Sequence, residues 1–264
     1  MDDTWQIHAI RYAHLTRRSP DNFIGGDSHD TPMPLAYYVW LLRNGARSVL
    51  VDTGFGAAMA ARRGRSLLRP VAEGLAALGV TPAAVGDVII THMHYDHAGN
   101  VPLFPTARLH LQASEMAFAT GPAMTHALLR QAYEVDDVVA LVRRVHEGGV
   151  CFHDGSAEVA PGLEVHHVGG HTRGLQCVRV RTRRGWMVLA SDASHFYAHM
   201  EQDRAFPIVH DVEKLLAGYR TLRRLASSAD HVIPGHDPLV MERYPASAEG
   251  LAGWAARLDA DPSV

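Results

Sequence analysis

The stretch Thr91-His92-Met93-His94-Tyr95-Asp96-His97-Ala98-Gly99-Asn100 places three histidines and an aspartate within six positions, directly after the apolar run Val88-Ile89-Ile90. A short continuous apolar run of this kind reads as a strand buried on both faces. In an extended segment, residues two apart point the same way, so His92 and His94 can reach one metal ion together. Asp96 and His97 follow where a loop turns into a helix start, and can reach a second ion alongside. Imidazole nitrogens and carboxylate oxygens are ligands that zinc takes.

Three further ligand-type residues sit in the same setting, each just past a predicted strand. His171 stands in Gly169-Gly170-His171-Thr172 after the strand Leu163 to Val168. Asp192 follows the apolar strand Met187-Val188-Leu189-Ala190, and His236 lies in Ile233-Pro234-Gly235-His236-Asp237. Loops at the carboxyl ends of strands are where α/β folds place their chemistry. The glycines beside His171 and His236 allow sharp turns and close approach to a ligand.

The remaining pattern alternates strands and helices along the whole chain. Leu41-Leu42 and Val49 to Val51 predict a hairpin turning near Asn44-Gly45. Ser66 to Leu78, Met124 to His146 and Asp211 to Leu225 carry apolar residues at helical spacing, and Thr81-Pro82 opens a short helix. Ala107 to Leu111, Gln176 to Val180 and Trp186 to Ala190 complete the predicted strands. Sheets covered by helices, in one domain over residues 1–264, are the expectation.

Composition excludes several classes. With 47% hydrophobic and 20% charged residues, the chain is an ordinary globular mix rather than a disordered one. The formal net charge of −3 comes without an acidic or basic block, so no nucleic-acid partner is expected. No apolar run reaches the roughly 18 to 20 residues of a membrane helix, so no membrane partner is expected either. Met1 to Ile10 lack the apolar core of a secretory signal. Cys151 and Cys177 are far apart and form no C-x-x-C, which makes a reducing cytoplasm the default. Eighteen histidines are the outlying feature.

His-x-His-x-Asp-His, a later Gly-His, a later aspartate after a strand and a final Gly-His resemble the metallo-β-lactamase superfamily. Val51-Asp52-Thr53-Gly54 matches it as well, so the resemblance runs from about Leu35 to Asp237. It implies an α/β (α+β) fold, the αβ/βα sandwich of two mixed sheets covered by helices, with two zinc ions in a cleft along one edge. By that resemblance His92, His94 and His171 hold one ion. Asp96, His97 and His236 hold the other, and Asp192 bridges both.

The branch follows from particular positions. Flavodiiron relatives typically carry glutamate where His94 stands, and zinc β-lactamases carry cysteine or serine where Asp192 stands. Glyoxalase II enzymes have a long helical domain after the last ligand, for which Asp237 to Val264 is too short. The chain therefore looks most like the lactonase branch, which includes the N-acyl homoserine lactonases. The resemblance implies a dinuclear zinc hydrolase opening a lactone, an acyl homoserine lactone among the candidates, by attack of a metal-bridging hydroxide. Small-molecule lactones or related esters are its partners, and a homodimer stays open. The alternatives are another ester, thioester or amide hydrolase of this fold, or a non-hydrolytic, iron-loaded redox or sensor protein.

Asp96 is the candidate to pass a proton to the leaving alkoxide. Some acyl homoserine lactonases place a substrate-contacting tyrosine three residues after the bridging aspartate, where this chain has His195. His195 or Tyr197 is expected to contact the substrate carbonyl. Asp52 reads either as a carboxylate behind a liganding histidine or as a turn cap. Pro20 to Pro34 and Thr120 to Asp154 are expected to cover the cleft. His166 and His167 alternate along a strand and are not expected to be ligands. His110, His126, His146, His153 and His231 belong to no motif, and no G-x-S-x-G elbow suggests serine chemistry.

Overall fold

Along Leu35–Asn44, neighbouring side chains enter two different cores: Tyr38, Trp40 and Leu42 join one cluster, Tyr37, Val39 and Leu41 the other. Such a strand is apolar throughout because helices or a second sheet cover both of its faces. The computed structural model describes residues 3–263. Met1, Asp2 and Val264, the outermost residues of the predicted domain and of the signal-sequence reading, lie outside it.

In chain order the described strands are β1 (Gln6–Leu15), β2 (Leu35–Asn44), β3 (Arg47–Val51), β4 (Ser66–Leu67), β5 (Asp87–Ile89), β6 (Arg108–Gln112) and β7 (Val150–His153). They continue as β8 (Ala157–Ala160), β9 (Leu163–His167), β10 (Gln176–Thr182), β11 (Gly185–Ser191), β12 (Val232–Pro234) and β13 (Ala255–Arg257). One sheet has the order β13-β1-β2-β3-β5-β6-β7, with β4 added on β1; the other has the order β12-β11-β10-β9-β8. Both are mixed: β3, β5, β6 and β7 run parallel, as do β11 and β12, while the remaining pairs are antiparallel.

Ile7, Trp40 and Val51 from the first sheet share a core with Val165, Val178 and Leu189 from the second, which also takes Leu215, Tyr219 and Leu222 from the helix Val212–Leu225. The other core joins Val39, Leu50 and Val88 to Leu75, Phe118 and Leu141 from the helices Val71–Ala77, Ala113–Ala119 and Val135–His146. This is the expected sandwich of two mixed sheets with helices outside.

Two predicted helices differ. Ser66 and Leu67 pair with His14 and Ala13 of β1, and the helix begins only after Pro70, which pushes the preceding residue into extended backbone. The predicted helix Met124 to His146 is three pieces: a 3-10 turn at Pro122–Thr125, then Ala127–Arg130, then Val135–His146. The break has a use, because the Ala132 carbonyl accepts from the Tyr95 amide at 2.9 Å and the Tyr133 hydroxyl donates to Glu115 at 2.8 Å. The strands β1, β7, β8 and β13 were not predicted. No helix among the described residues is long and apolar enough to cross a membrane.

Candidate metal centre

Every predicted ligand lies just beyond the carboxyl end of a strand: His92, His94, Asp96 and His97 after β5, His171 after β9, Asp192 after β11 and His236 after β12. The two sheets thereby bring them to one edge of the sandwich, where all seven are buried. His171 Nε2 lies 3.2 Å from His92 Nε2 and 2.9 Å from His94 Nδ1, and those two are 3.0 Å apart. Three nitrogens bound to one tetrahedral zinc at about 2.0 to 2.1 Å would stand about 3.3 Å apart. The triad is close to that spacing.

Asp96, His97 and His236 form a second cluster, with Asp96 Oδ2 3.6 Å from His97 Nε2 and 3.9 Å from His236 Nε2. Asp192 joins the two clusters. Its Oδ2 lies 3.2 Å from His171 Nε2, while its Oδ1 lies 3.2 Å from His97 Nε2 and 3.1 Å from His236 Nε2.

The far nitrogens of these rings are anchored. His97 Nδ1 is 2.7 Å from Asp52 Oδ2, His171 Nδ1 is 2.6 Å from the Ile208 carbonyl, and His236 Nδ1 is 2.9 Å from the Ala36 carbonyl. Carbonyl and carboxylate acceptors put the proton on Nδ1 and leave the Nε2 lone pair facing inward, as a metal requires. Asp52 thus stands behind the predicted ligand His97, and it also accepts from the Thr91 amide and hydroxyl at 2.8 Å each, bonds to a distant loop rather than a cap on its own turn.

Charge is poorly compensated within the protein. Burial lowers the basicity of His92 and His94, and neighbouring imidazoles lower it further, holding both well below the usual histidine range. Burial acts on His97 in the same direction, but the Asp192, Asp96 and Asp52 carboxylates outweigh it and hold that ring well above the range. Among the described residues, His97 Nε2 and Asp192 Oδ1 are fully buried without a hydrogen bond. Two inward-facing orphans of ligand type fit a cation between them, because such atoms are otherwise costly to bury.

A profile of the Metallo-beta-lactamase superfamily matches residues 32–243, a stretch that spans all seven predicted ligands. The chain belongs to the metallo-β-lactamase superfamily. A probable metallo-hydrolase of Mycobacterium tuberculosis is 28% identical over 202 residues, 70% of this chain and 65% of that protein. The N-acyl homoserine lactonase AiiB of Agrobacterium fabrum is 30% identical over 179 residues, 62% of this chain and 61% of its own length. The matched stretch thus spans less than two thirds of either relative. A solved quorum-quenching N-acyl homoserine lactone lactonase superposes with a TM-score of 0.73 at 22% identity, over 90% of this chain and 94% of that one. That likeness is one of fold.

In this superfamily member the cleft over the ligands is lined by Leu15, Arg17, Leu35, Tyr37, Arg63, Arg65, Tyr95, Gln131, Ala132, His195 and Ile208. His195 is there, with Nε2 2.9 Å from Asp192 Oδ2 and its ring stacked on Phe206. Tyr197 does not line the cleft. Its ring lies beneath the Arg243 guanidinium at 3.9 Å, and its amide donates to Asp237, so of the two expected candidates His195 alone faces the cleft. Gln131 and Ala132 come from the predicted covering region Thr120 to Asp154, whereas Pro20 to Pro34 contributes no lining residue. That segment is instead tied down from Asn22, whose carbonyl accepts from His199, and from Phe23, which packs on the same ring.

His166 and His167 bind Glu164, Ser156 and the Arg173 carbonyl, apart from the centre. His110 and His153 do have partners: His110 bonds Asp87 at 3.0 Å and His153 at 3.1 Å. Sequence reasoning missed Glu115. Its buried carboxylate accepts from the Met93 amide and Tyr133 hydroxyl on Oε1, and from the Thr172 hydroxyl and Gly174 amide on Oε2. One side chain therefore holds the loop of His92 and His94 against the loop of His171. A lone glutamate inside the apolar helix Ala113–Ala119 was the available signal.

Proposed function

We propose that this chain is a dinuclear zinc hydrolase that opens a lactone or a closely related cyclic ester. The observation that carries the reading is the Asp192 carboxylate shared between two ligand clusters, Oδ2 toward His171 and Oδ1 toward His97 and His236. The relative named as an N-acyl homoserine lactonase and the lactonase of the same fold support lactones as the substrate class.

His92, His94 and His171 would hold one divalent ion, Asp96, His97 and His236 the other, and Asp192 both. Bound there, such ions supply Lewis acidity and lower the pKa of water from about 15.7 to about 7, which makes a nucleophile available at neutral pH. At about 1.36 kcal/mol per unit, that is on the order of 12 kcal/mol, more than any single hydrogen bond contributes. The protein's own groups orient and move protons. Asp52 fixes the His97 ring, and Glu115 holds the first triad's loops together. Asp192 accepts only, so His195 Nε2 carries the proton of their contact and could share it with a substrate carbonyl oxygen placed beside Asp192. Asp96, lining the cleft in the second cluster, would take the proton that the nucleophile releases and pass it to the alkoxide, which stays tethered because the substrate is a ring.

The test is a panel of lactones followed by proton release, with and without a chelator. Chelator-sensitive opening of at least one lactone is expected. Full metal loading without turnover of any lactone, with iron and oxygen reduction instead, would replace this reading by the redox alternative.

A further inference from the structure

We infer that the substrate carries a carboxylate remote from the scissile ester, and that Arg65 and Arg17 bind it; this deepens the hydrolase reading above and rests on it. Arg17, Arg63 and Arg65 are half-buried and line the same cleft as the metal ligands. Arg63 is compensated, since Glu134 pairs with it and with Arg62. The other two are not. Among the described residues, neither Arg17 nor Arg65 forms an ion pair with a carboxylate. Arg17 donates to the Asp21 backbone carbonyl, and Arg65 donates to the Tyr95 hydroxyl at 3.0 Å and to the Arg63 carbonyl. These bonds aim the guanidiniums, and the nearest carboxylates, Asp21 for Arg17 and Asp96 for Arg65, act on them from beyond ion-pair distance.

Holding two cations in a half-buried cleft beside a cationic metal centre is unfavourable unless an anion arrives to share them. Side chains of two tyrosines stand between Arg65 and the metal ligand His236. The Tyr95 hydroxyl that accepts from Arg65 lies 3.3 Å from the Tyr37 hydroxyl, and the Tyr37 ring meets ligand His236 edge-on at 5.1 Å between centroids. One tyrosine pair thus separates the guanidinium end from the metal end. Leu15, Leu35 and Ile208 supply apolar wall for the linker between them. A guanidinium offers a planar fork that a carboxylate fills bidentately, whereas a purely alkyl chain would leave both charges unanswered.

The test measures binding to the metal-loaded protein by calorimetry, with glutarate against glutaramate, in which an amide replaces one carboxylate. Wild type should prefer glutarate by about 10 to 100-fold, the range of one charge-assisted pair. Arg65→Gln and Arg17→Gln, made separately, should each cut that preference several-fold, while Arg65→Lys keeps part of it. Arg62→Gln, outside the cleft, should leave the preference as it is. Equal binding of the two probes by wild type, or a preference undiminished in both glutamine variants, would overturn the inference. Hydrolysis of a neutral lactone, followed in parallel, separates the two claims. Turnover without a glutarate preference removes the anion site alone, and a glutarate preference without turnover of any lactone removes the hydrolase reading alone.

Discussion

His195 Nε2 lies 2.9 Å from Asp192 Oδ2 while its ring stacks on Phe206 at 3.6 Å between centroids and 19° between planes. The stack fixes the ring, and the hydrogen bond fixes which nitrogen faces the metal ligands. Burial outweighs the pull of Asp192 and holds the imidazole well below its usual range, so it stays a neutral donor at pH 7. His195→Ala should keep its metal yet lose about 10 to 100-fold in kcat/KM, roughly 1.4 to 2.7 kcal/mol of transition-state stabilisation. Tyr197→Phe should remain within about threefold of wild type. Steady-state kinetics with metal analysis on both variants decides this, and metal loss in His195→Ala would place that residue among the ligands.

Glu115 should matter to metal affinity without touching a metal. An amide at that position turns an NH2 group toward donors that now meet carboxylate oxygens. Glu115→Gln should cost about 1 to 3 kcal/mol of stability and weaken metal binding about 10 to 100-fold. Urea denaturation and competition with a chromophoric chelator read the two effects. Wild-type metal affinity in a folded variant would show that the two loops hold their ligands unaided.

The clustering of the candidate ligands was legible from the sequence because they follow strands, and strand ends are marked by apolar runs followed by glycine or aspartate. Asp192 after Met187 to Ala190 is such a case. The outer residues were less legible. Glu115 acts through contacts with Met93, Tyr133, Thr172 and Gly174, which are distant in the chain or carry no motif. The break at residues 131–134 was hidden by good helical spacing on either side, since the Tyr95 amide that recruits the Ala132 carbonyl is a tertiary partner. Strand β1 was missed for a related reason: Gln6, Arg11 and His14 interrupt its apolar pattern, and the register with β2 shifts between Arg11 and Ala13.

Acid should destabilise the fold through His8, on β1 and away from the metal centre. Burial, then the Arg257 charge, lowers its pKa to about 4, against about 6.5 in an unfolded chain. The folded state thus prefers the neutral ring. Its stability is complete above about pH 6.5 and falls as pH drops from there toward 4, by up to about 3 kcal/mol. His8→Gln, able to keep the bond to Ser247, should lose less stability than wild type between pH 7 and 4.5. Parallel urea titrations at the two pH values check this. Identical losses would mean that His8 does not titrate with unfolding.

Asp192→Ala removes the carboxylate common to both clusters, so metal and turnover should disappear together. Metal analysis of the purified variant, beside its lactone kinetics, reads both. Two ions per chain with wild-type turnover would show that the clusters do not depend on a shared ligand.

Two metal ions held by one shared aspartate should run the hydrolysis together. Zinc returned stepwise to chelated protein, with lactone opening followed at each addition, tests it most directly. No turnover is expected in the chelated protein, followed by a rise that levels off at two equivalents per chain. Full turnover in the chelated protein, or a plateau at one equivalent, would contradict it.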